Sequence, residues 1–440
     1  MLINLDRSID NFSNRKPYNN KASRYLPIGP DPIKDQDLNW KLVYKSIYER
    51  LLGLNCDIQD LEQLFNNISE EIGNAKKTRD LKKLAENVYL NEPAIRAISP
   101  YTNLICSDKP KARTITMGNV FGALLSKMTP KELTFTGSNF IEEIINATFK
   151  SQCGSLPPIT NLEVAYLPFL AEVFTADLCT LACDSEWLME EFNNLIELYS
   201  FLYLTQLSLH LGLANQRFKT PISQEVYFIL ETEKASKERH ECNIKGYSRI
   251  LSKQNGFATE IFSHLGYLEL LTDMPIWQLV DCEIKEQDIE KINELNRLLC
   301  AQFDIHFSEG KGTLAEVIND GLSYHKQLFK KSSQTSTRSS ANEKVYNVFK
   351  DVFALNYKSN RKSAGGWYFQ LNTKTVLLVT NLIIGENNKM LINDVIEGFK
   401  SRGIYFDLKT KNALLKVYEN IGNIEKLSDS GDAVYVKSTI

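Results

Sequence analysis

RGIYFDLKTKNALLKVYENIGNIEKLSDSGDAVYV, residues Arg402 to Val436, is the stretch on which the reading of the whole chain turns. From Thr410 to about Gly422, the apolar residues Ala413, Leu414, Val417, Tyr418 and Ile421 recur at helical spacing. One face of that helix is therefore apolar and the other carries lysines. The pattern stops at a glycine and gives way to Ile424 and Leu427, a polar turn Ser428-Asp429-Ser430-Gly431-Asp432, and the run Ala433 to Val436. Short apolar runs on either side of a Gly-bearing turn predict a two-stranded ribbon.

Two more helices are expected upstream. Thr373 to Ile384 (TKTVLLVTNLII) is densely apolar, as a helix packed on several sides would be. Leu391 to Lys400 (LINDVIEGFK) begins beside Asn393 and Asp394, which are good N-cap residues, and stops at Ser401-Arg402-Gly403. Three helices and a ribbon outline a winged-helix domain, whose third helix enters the major groove while the wing lies along the backbone. That arrangement turns Arg402, Lys409, Lys411, Asn412 and Lys416 toward double-stranded DNA, with Lys426, Ser430 and Lys437 on the ribbon. Winged helices also serve as protein-interaction modules, and lysines on a surface helix are often only solvated, so a protein partner stays open beside DNA.

The chain of 440 residues exceeds the ~250 to 300 at which single cores stop growing, which predicts about two or three domains. Residues 1–39 are polar and interrupted by Pro27, Pro30 and Pro32, and read as an extended arm. Residues 40–329 read as a helical body, with its main core in the apolar block Asn161 to Leu213. Residues 330–342 (KKSSQTSTRSSAN) carry only positive charge and a single apolar residue, which predicts a flexible linker. Residues 343–440 would be the tethered winged-helix domain. The expected fold class is thus mainly α, a multi-helix body with a C-terminal winged-helix (α+β) domain.

A net charge of −3 favours neither nucleic acid nor acidic substrates on average. From Ala341 onward, however, 14 Lys and Arg stand against 10 Asp and Glu, leaving 37 against 44 in the rest. A mildly basic end on an acidic body suits nucleic-acid contact at that end. The eight cysteines form no CxxC pair, and Cys179 and Cys183 lie one helical turn apart among apolar neighbours. Buried reduced thiols are expected, and the N-terminal stretch lacks the apolar run of a signal peptide, so the expected compartment is cytoplasmic. Leu195 to Leu213 approaches the length of a membrane span, but Glu197, Gln206 and His210 interrupt it. It reads as a helix of the core, and no membrane partner is expected.

The strand-like VYFIL at Val226 to Leu230 runs into a cationic stretch with Lys234, Lys237 and Arg239. With Arg361 and Lys362 these make a secondary basic surface for phosphate or a partner. Ordinary pairing such as Glu233 with Lys237 on a solvated helix explains the same charges. Neither GxxxxGK[ST] nor a GxGxxG opening a helix occurs, and no carboxylate–lysine grouping has nuclease spacing. The five histidines are isolated. No catalytic residue, metal or cofactor is assigned, although a nuclease of unrecognised type stays open.

Three segments carry a resemblance: YFILETEKASKER (Tyr227 to Arg239), NRKSAGGWYFQLNTKTVLLVTNLI (Asn360 to Ile383) and the ending RGIYFDLKTKNALLKVYENIGNIEKLSDSGDAVYVKS (Arg402 to Ser438). Together with the chain length they are similar to the DptG (DndG) family of DNA-phosphorothioation-dependent restriction proteins. The resemblance implies a subunit of a bacterial anti-phage restriction system that acts with DptF and DptH on DNA lacking the sulfur modification. It also implies that the ATP-driven components are the partner chains.

Overall fold

The computed structural model describes every residue except 1, 21, 23, 31–37, 57–60, 77–78, 91, 107, 132–138, 157–163, 235–238, 284, 309–311, 331–336, 362–365, 427–433 and 440. Its helices are α1 Leu5–Ser13, α2 Trp40–Leu52, α3 Leu61–Lys76, α4 Arg79–Val88, α5 Glu92–Arg96, α6 Ala112–Leu124, α7 Phe140–Gln152, α8 Pro168–Leu181, α9 Ser185–Gly212, α10 His240–Asn243, α11 Arg249–Leu251, α12 Ile261–Leu271, α13 Glu286–Gln302, α14 Leu314–Leu328, α15 Thr337–Val348, α16 Thr373–Ile384, α17 Ile392–Ser401 and α18 Leu408–Ile421. The strands are β1 Leu54–Asn55, β2 Gly154–Ser155, β3 Val226–Leu230, β4 Lys358–Arg361, β5 Gly366–Leu371, β6 Lys389–Leu391, β7 Ile404–Tyr405, β8 Ile424–Lys426 and β9 Val434–Lys437. The fold is mainly α with small sheets. No helix among the described residues is long and apolar enough to cross a membrane.

The chain divides into two units: Met1–Ile33, Tyr166–Val173 and Glu197–Ile440 in one, Lys34–Ala165 and Phe174–Ile196 in the other. In the second unit, Asn39 caps α2 by accepting from the Lys41 N–H, and Gly53 ends it at φ 66°, a left-handed conformation that suits glycine. The core of this unit stacks Tyr48 on Phe192 with ring centroids 4.2 Å apart and sets Phe121 against Phe174. A separate apolar cluster joins Ile68 and Ile72 of α3, Ala85 of α4 and Ile145 and Phe149 of α7.

The first unit departs from the sequence expectations at three places. Residues 5–13, expected as extended arm, are helix α1, because Leu5 and Phe12 are buried on one face. Ser8 Oγ donates to the Leu270 carbonyl and Asn4 Nδ2 to Asp273 Oδ1 of the segment that follows α12. The last residues of the expected linker are helical: α15 starts at Thr337 and buries Val345, Tyr346 and Val348, while 331–336 lie outside the described residues. The C-terminal segment also shares a sheet with an earlier strand. The order is β4-β5-β3-β7, with β3 parallel to both β5 and β7. An apolar five-residue run such as VYFIL fits a strand flanked on both edges.

The last hundred residues also hold helix α16, strand β6, helices α17 and α18, and strands β8 and β9, with a three-stranded antiparallel sheet in the order β6-β9-β8. The expected helices at 373–384, 391–400 and 410–422 are present within a residue or two. The expected cap of the second is not: Leu391 holds the N-cap position without a side-chain bond, and Asp394 sits in the first turn.

Helices α12, α13 and α14 approach closely around Gly321. The Tyr267 hydroxyl donates to Asn296 Oδ1 (2.7 Å), and Asn296 Nδ2 donates to the Val317 carbonyl (3.0 Å). A Cβ at Gly321 would overlap the Tyr267 hydroxyl. We expect Gly321→Ala to lose about 1–3 kcal/mol, as overpacked cores do. Urea melts read the loss, and adding Tyr267→Phe should not restore it, because the ring carbon Cζ of residue 267 would still overlap the new Cβ and Asn296 Oδ1 would lose its donor. A single variant that melts like the parent chain refutes this contact.

Candidate nucleic-acid interface

Helix α18 is fixed at both ends by its own sequence. Asp407 caps it by accepting from the Thr410 N–H at 2.8 Å, and Gly422 ends it at φ 82°. Leu414 and Tyr418 are fully buried. The Tyr418 and Thr380 hydroxyls lie 2.6 Å apart. Thr380 also donates to the Val376 carbonyl, so Tyr418 is the donor between them. This locks α18 to α16 by an inward face of period 3.6.

The outward face follows by elimination. Lys409, Asn412, Lys416 and Asn420 are all exposed and share one side of the helix. Lys411 is only half-buried, on a neighbouring side. The one acid of the helix, Glu419, lies in the last turn, where its carboxylate is 3.1 Å from Lys426 Nζ. The long exposed stripe is therefore cationic and amide-bearing, and it contains no uncompensated acid.

The ribbon is electrostatically tied. Glu425 on β8 pairs with Lys389 of β6 (2.5 Å) and Lys437 of β9 (3.1 Å). Hydrogen bonds from those lysines hold the Glu425 carboxyl below the ordinary glutamate range. Lys437 and Lys426 thus each have an acidic neighbour, which lowers the net field they offer to a phosphate. Ser430 lies outside the described residues.

Arg402 does not belong to this face. It is buried, and its guanidinium donates to the Gly398 carbonyl at 2.5 Å. The cause is position: Arg402 directly follows α17, whose last carbonyls have no partner inside the helix and attract a cation. Of the expected secondary basic surface, only Lys234 and Arg239 have described side chains. Lys234 is exposed, Lys237 and Lys362 lie outside the described residues, and Arg361 is in β4 with its side chain likewise undescribed.

Arg239 is buried rather than displayed. Its guanidinium meets Glu233 Oε1 at 2.6 Å, Asp407 Oδ1 at 2.8 Å and Thr410 Oγ1 at 2.5 Å. Glu233 also accepts from the Leu230 N–H at the end of β3, and the Cys242 thiol donates to Asp407 Oδ2. One guanidinium therefore joins the loop after β3 to the cap of α18. Burial works against the Arg239 charge, but the Glu233 hydrogen bond and both carboxylates outweigh it and raise its pKa. Burial likewise opposes the Asp407 charge and is outweighed by hydrogen bonds from Thr410 and Cys242, so its carboxyl titrates below the usual range. Burial, with the Asp407 carboxylate, pushes the Cys242 thiol up to about 12. The sequence reading gave Glu233 a different partner, Lys237, because helical spacing was the only available guide.

A cleft of about 560 Å³ between α1 and α12 is lined by residues that include Arg7, Lys16, Glu269 and Asp273. Its cations and carboxylates balance, so it offers no net field for a phosphate. Among the described residues no group of three or more His, Cys, Asp or Glu could hold a metal ion. Compared with known proteins, the chain matches no family model and no curated sequence.

Proposed function

We propose that this chain is a non-catalytic, DNA-binding and scaffolding subunit of a restriction complex of the DptG kind. In this reading residues 373–439 act as a winged helix, with α18 in the major groove and β8 and β9 as the wing. Its partners would be DptF and DptH, and its target duplex DNA without phosphorothioate. The observation that supports the reading is the outward stripe of α18, Lys409, Asn412 and Lys416, presented without an uncompensated acid. Lysines of this kind hold phosphates and give salt-sensitive, largely sequence-independent affinity.

The test is duplex binding by the full chain, followed by fluorescence anisotropy across roughly 50 to 200 mM salt. Lys409→Ala with Lys416→Ala should weaken binding on every duplex and lower the slope of log affinity against log salt by about two units, one per phosphate contact. Arg402→Ala, by contrast, should act on stability and leave the slope unchanged. No salt-dependent binding by the intact chain would sink the proposal and favour a pure assembly subunit, whose winged helix grips a protein.

A further inference from the structure

In the second unit, β1 and β2 pair antiparallel with Leu54 opposite Ser155 and Asn55 opposite Gly154. One residue further along that register, Cys56 stands opposite Cys153. The Leu156 N–H donates to the Gly53 carbonyl, so by alternation the cysteines take a non-hydrogen-bonded position. Opposite Cα atoms at such positions are about 4.5 Å apart, inside the ~4.4–6.8 Å that a disulfide spans. The two Sγ atoms lie 2.7 Å apart, closer than non-bonded sulfurs settle. Both residues are thiols in this structure. Cys56 is fully buried and Cys153 half-buried, so a small oxidant meets Cys153 first.

We propose that Cys56 and Cys153 are a reversible redox-active dithiol, closed to a disulfide by a hydroperoxide. The Cys56 contact and burial hold the Cys153 thiol well above its ordinary range, so the step is slow and runs through its small thiolate fraction, which attacks a peroxide oxygen and breaks the O–O bond, leaving a sulfenic acid and, with hydrogen peroxide, a water. The Cys56 sulfur then attacks Cys153 Sγ. The S–S bond forms, the S–O bond breaks, and the departing hydroxide takes the Cys56 proton as a second water. The two sulfurs together give up two electrons, and the peroxide is reduced. A dithiol reductant reverses the step by thiol–disulfide exchange. The bond would tie the end of α2 to the end of α7 across 97 residues of sequence.

The experiment exposes the full-length chain to dilute hydrogen peroxide, blocks remaining thiols by alkylation, and maps the peptides by mass spectrometry. The expected result is a Cys56–Cys153 linked peptide, a fall from the eight thiols of the sequence to six, and recovery of all eight with dithiothreitol. Cys56→Ser and Cys153→Ser should each abolish the link. Eight thiols after treatment, a link through other cysteines, or Cys153 driven to sulfinic acid without a link would each overturn the proposal. Should the Cys56 variant fail to fold, the map of the unsubstituted chain still decides. The result is independent of whether the chain binds DNA.

Discussion

Replacing Arg239 with alanine is expected to cost about 3–5 kcal/mol of folding stability, the range seen when one partner of a buried ion pair is removed. The magnitude follows from what remains. Glu233, whose side chain is 8% exposed, would keep its charge and lose its only ion pair among the described residues. Asp407 is 26% exposed and keeps the Thr410 N–H and the Cys242 thiol, so it contributes less of the loss. Arg239→Ala with Glu233→Ala should therefore regain part of the stability, and the double-mutant cycle isolates the pair. Arg239→Lys keeps the charge but cannot span both carboxylates as a planar fork does, and should fall between. Urea unfolding is the measurement. A loss under about 1 kcal/mol, the scale of a surface pair, would mean that the guanidinium holds nothing in place.

Acid should destabilise this protein before its carboxylates protonate. His210, His264 and His325 are all buried in the first unit. Burial, aided by the Arg217 charge, lowers the His210 pKa to about 4. Burial, aided by Arg338, takes His325 to about 3, and burial with Arg217 and Lys326 holds His264 well below its ordinary value. Tyr18, kept protonated by burial, lies 2.7 Å from His325 Nε2.

The sign follows from proton counting. Below about pH 6.5 the unfolded chain takes up protons at these sites and the folded chain does not, so stability falls as pH falls. Each site contributes about 1.4 kcal/mol per pH unit, or roughly 2 kcal/mol by pH 5. His210 and His325 together reach roughly 4 kcal/mol, a large share of the stability of many domains. Asp407 acts later, because its depressed pKa makes its stabilisation disappear only below the ordinary 3.8. Denaturant melts at about pH 7 and pH 5 test this, with His210→Leu expected to flatten the dependence by about 1.4 kcal/mol per unit. A midpoint that stays constant between those pH values would show the histidines to be solvated.

What could be read from the sequence was local. The helices at 373–384 and 408–421 were legible because apolar period, a capping residue and a closing glycine agree with one another. VYFIL was legible as a strand for its β-branched and aromatic content. The rest was set by partners distant in sequence. Arg239 looked like a surface cation because its second carboxylate, Asp407, is 168 residues away. Cys56 and Cys153 looked unrelated for the same reason, while the near pair Cys179 and Cys183 drew attention by spacing alone. The helix α15 was hidden because serine and threonine runs score as linker, and only the burial of Val345 and Tyr346 shows why it holds. On the candidate interface, Lys409, Asn412 and Lys416 are exposed, whereas Arg402 is buried, because a cation that closes one helix has the same sequence signature as one that opens toward DNA.

The insertion of β3 between β5 and β7 has a consequence for how the chain is made. β3 leaves the ribosome more than a hundred residues before either neighbour exists. During that interval VYFIL is an apolar strand with both edges open, a template for pairing with the wrong chain. The sheet can close only after Tyr405 has emerged, so the pairing is slow by topology as well as late. A nascent chain stalled near residue 340 would hold that strand unpartnered, and a separately expressed C-terminal piece would lack the strand its own sheet is built around. Synthesis of the whole chain in one pass is what this arrangement favours.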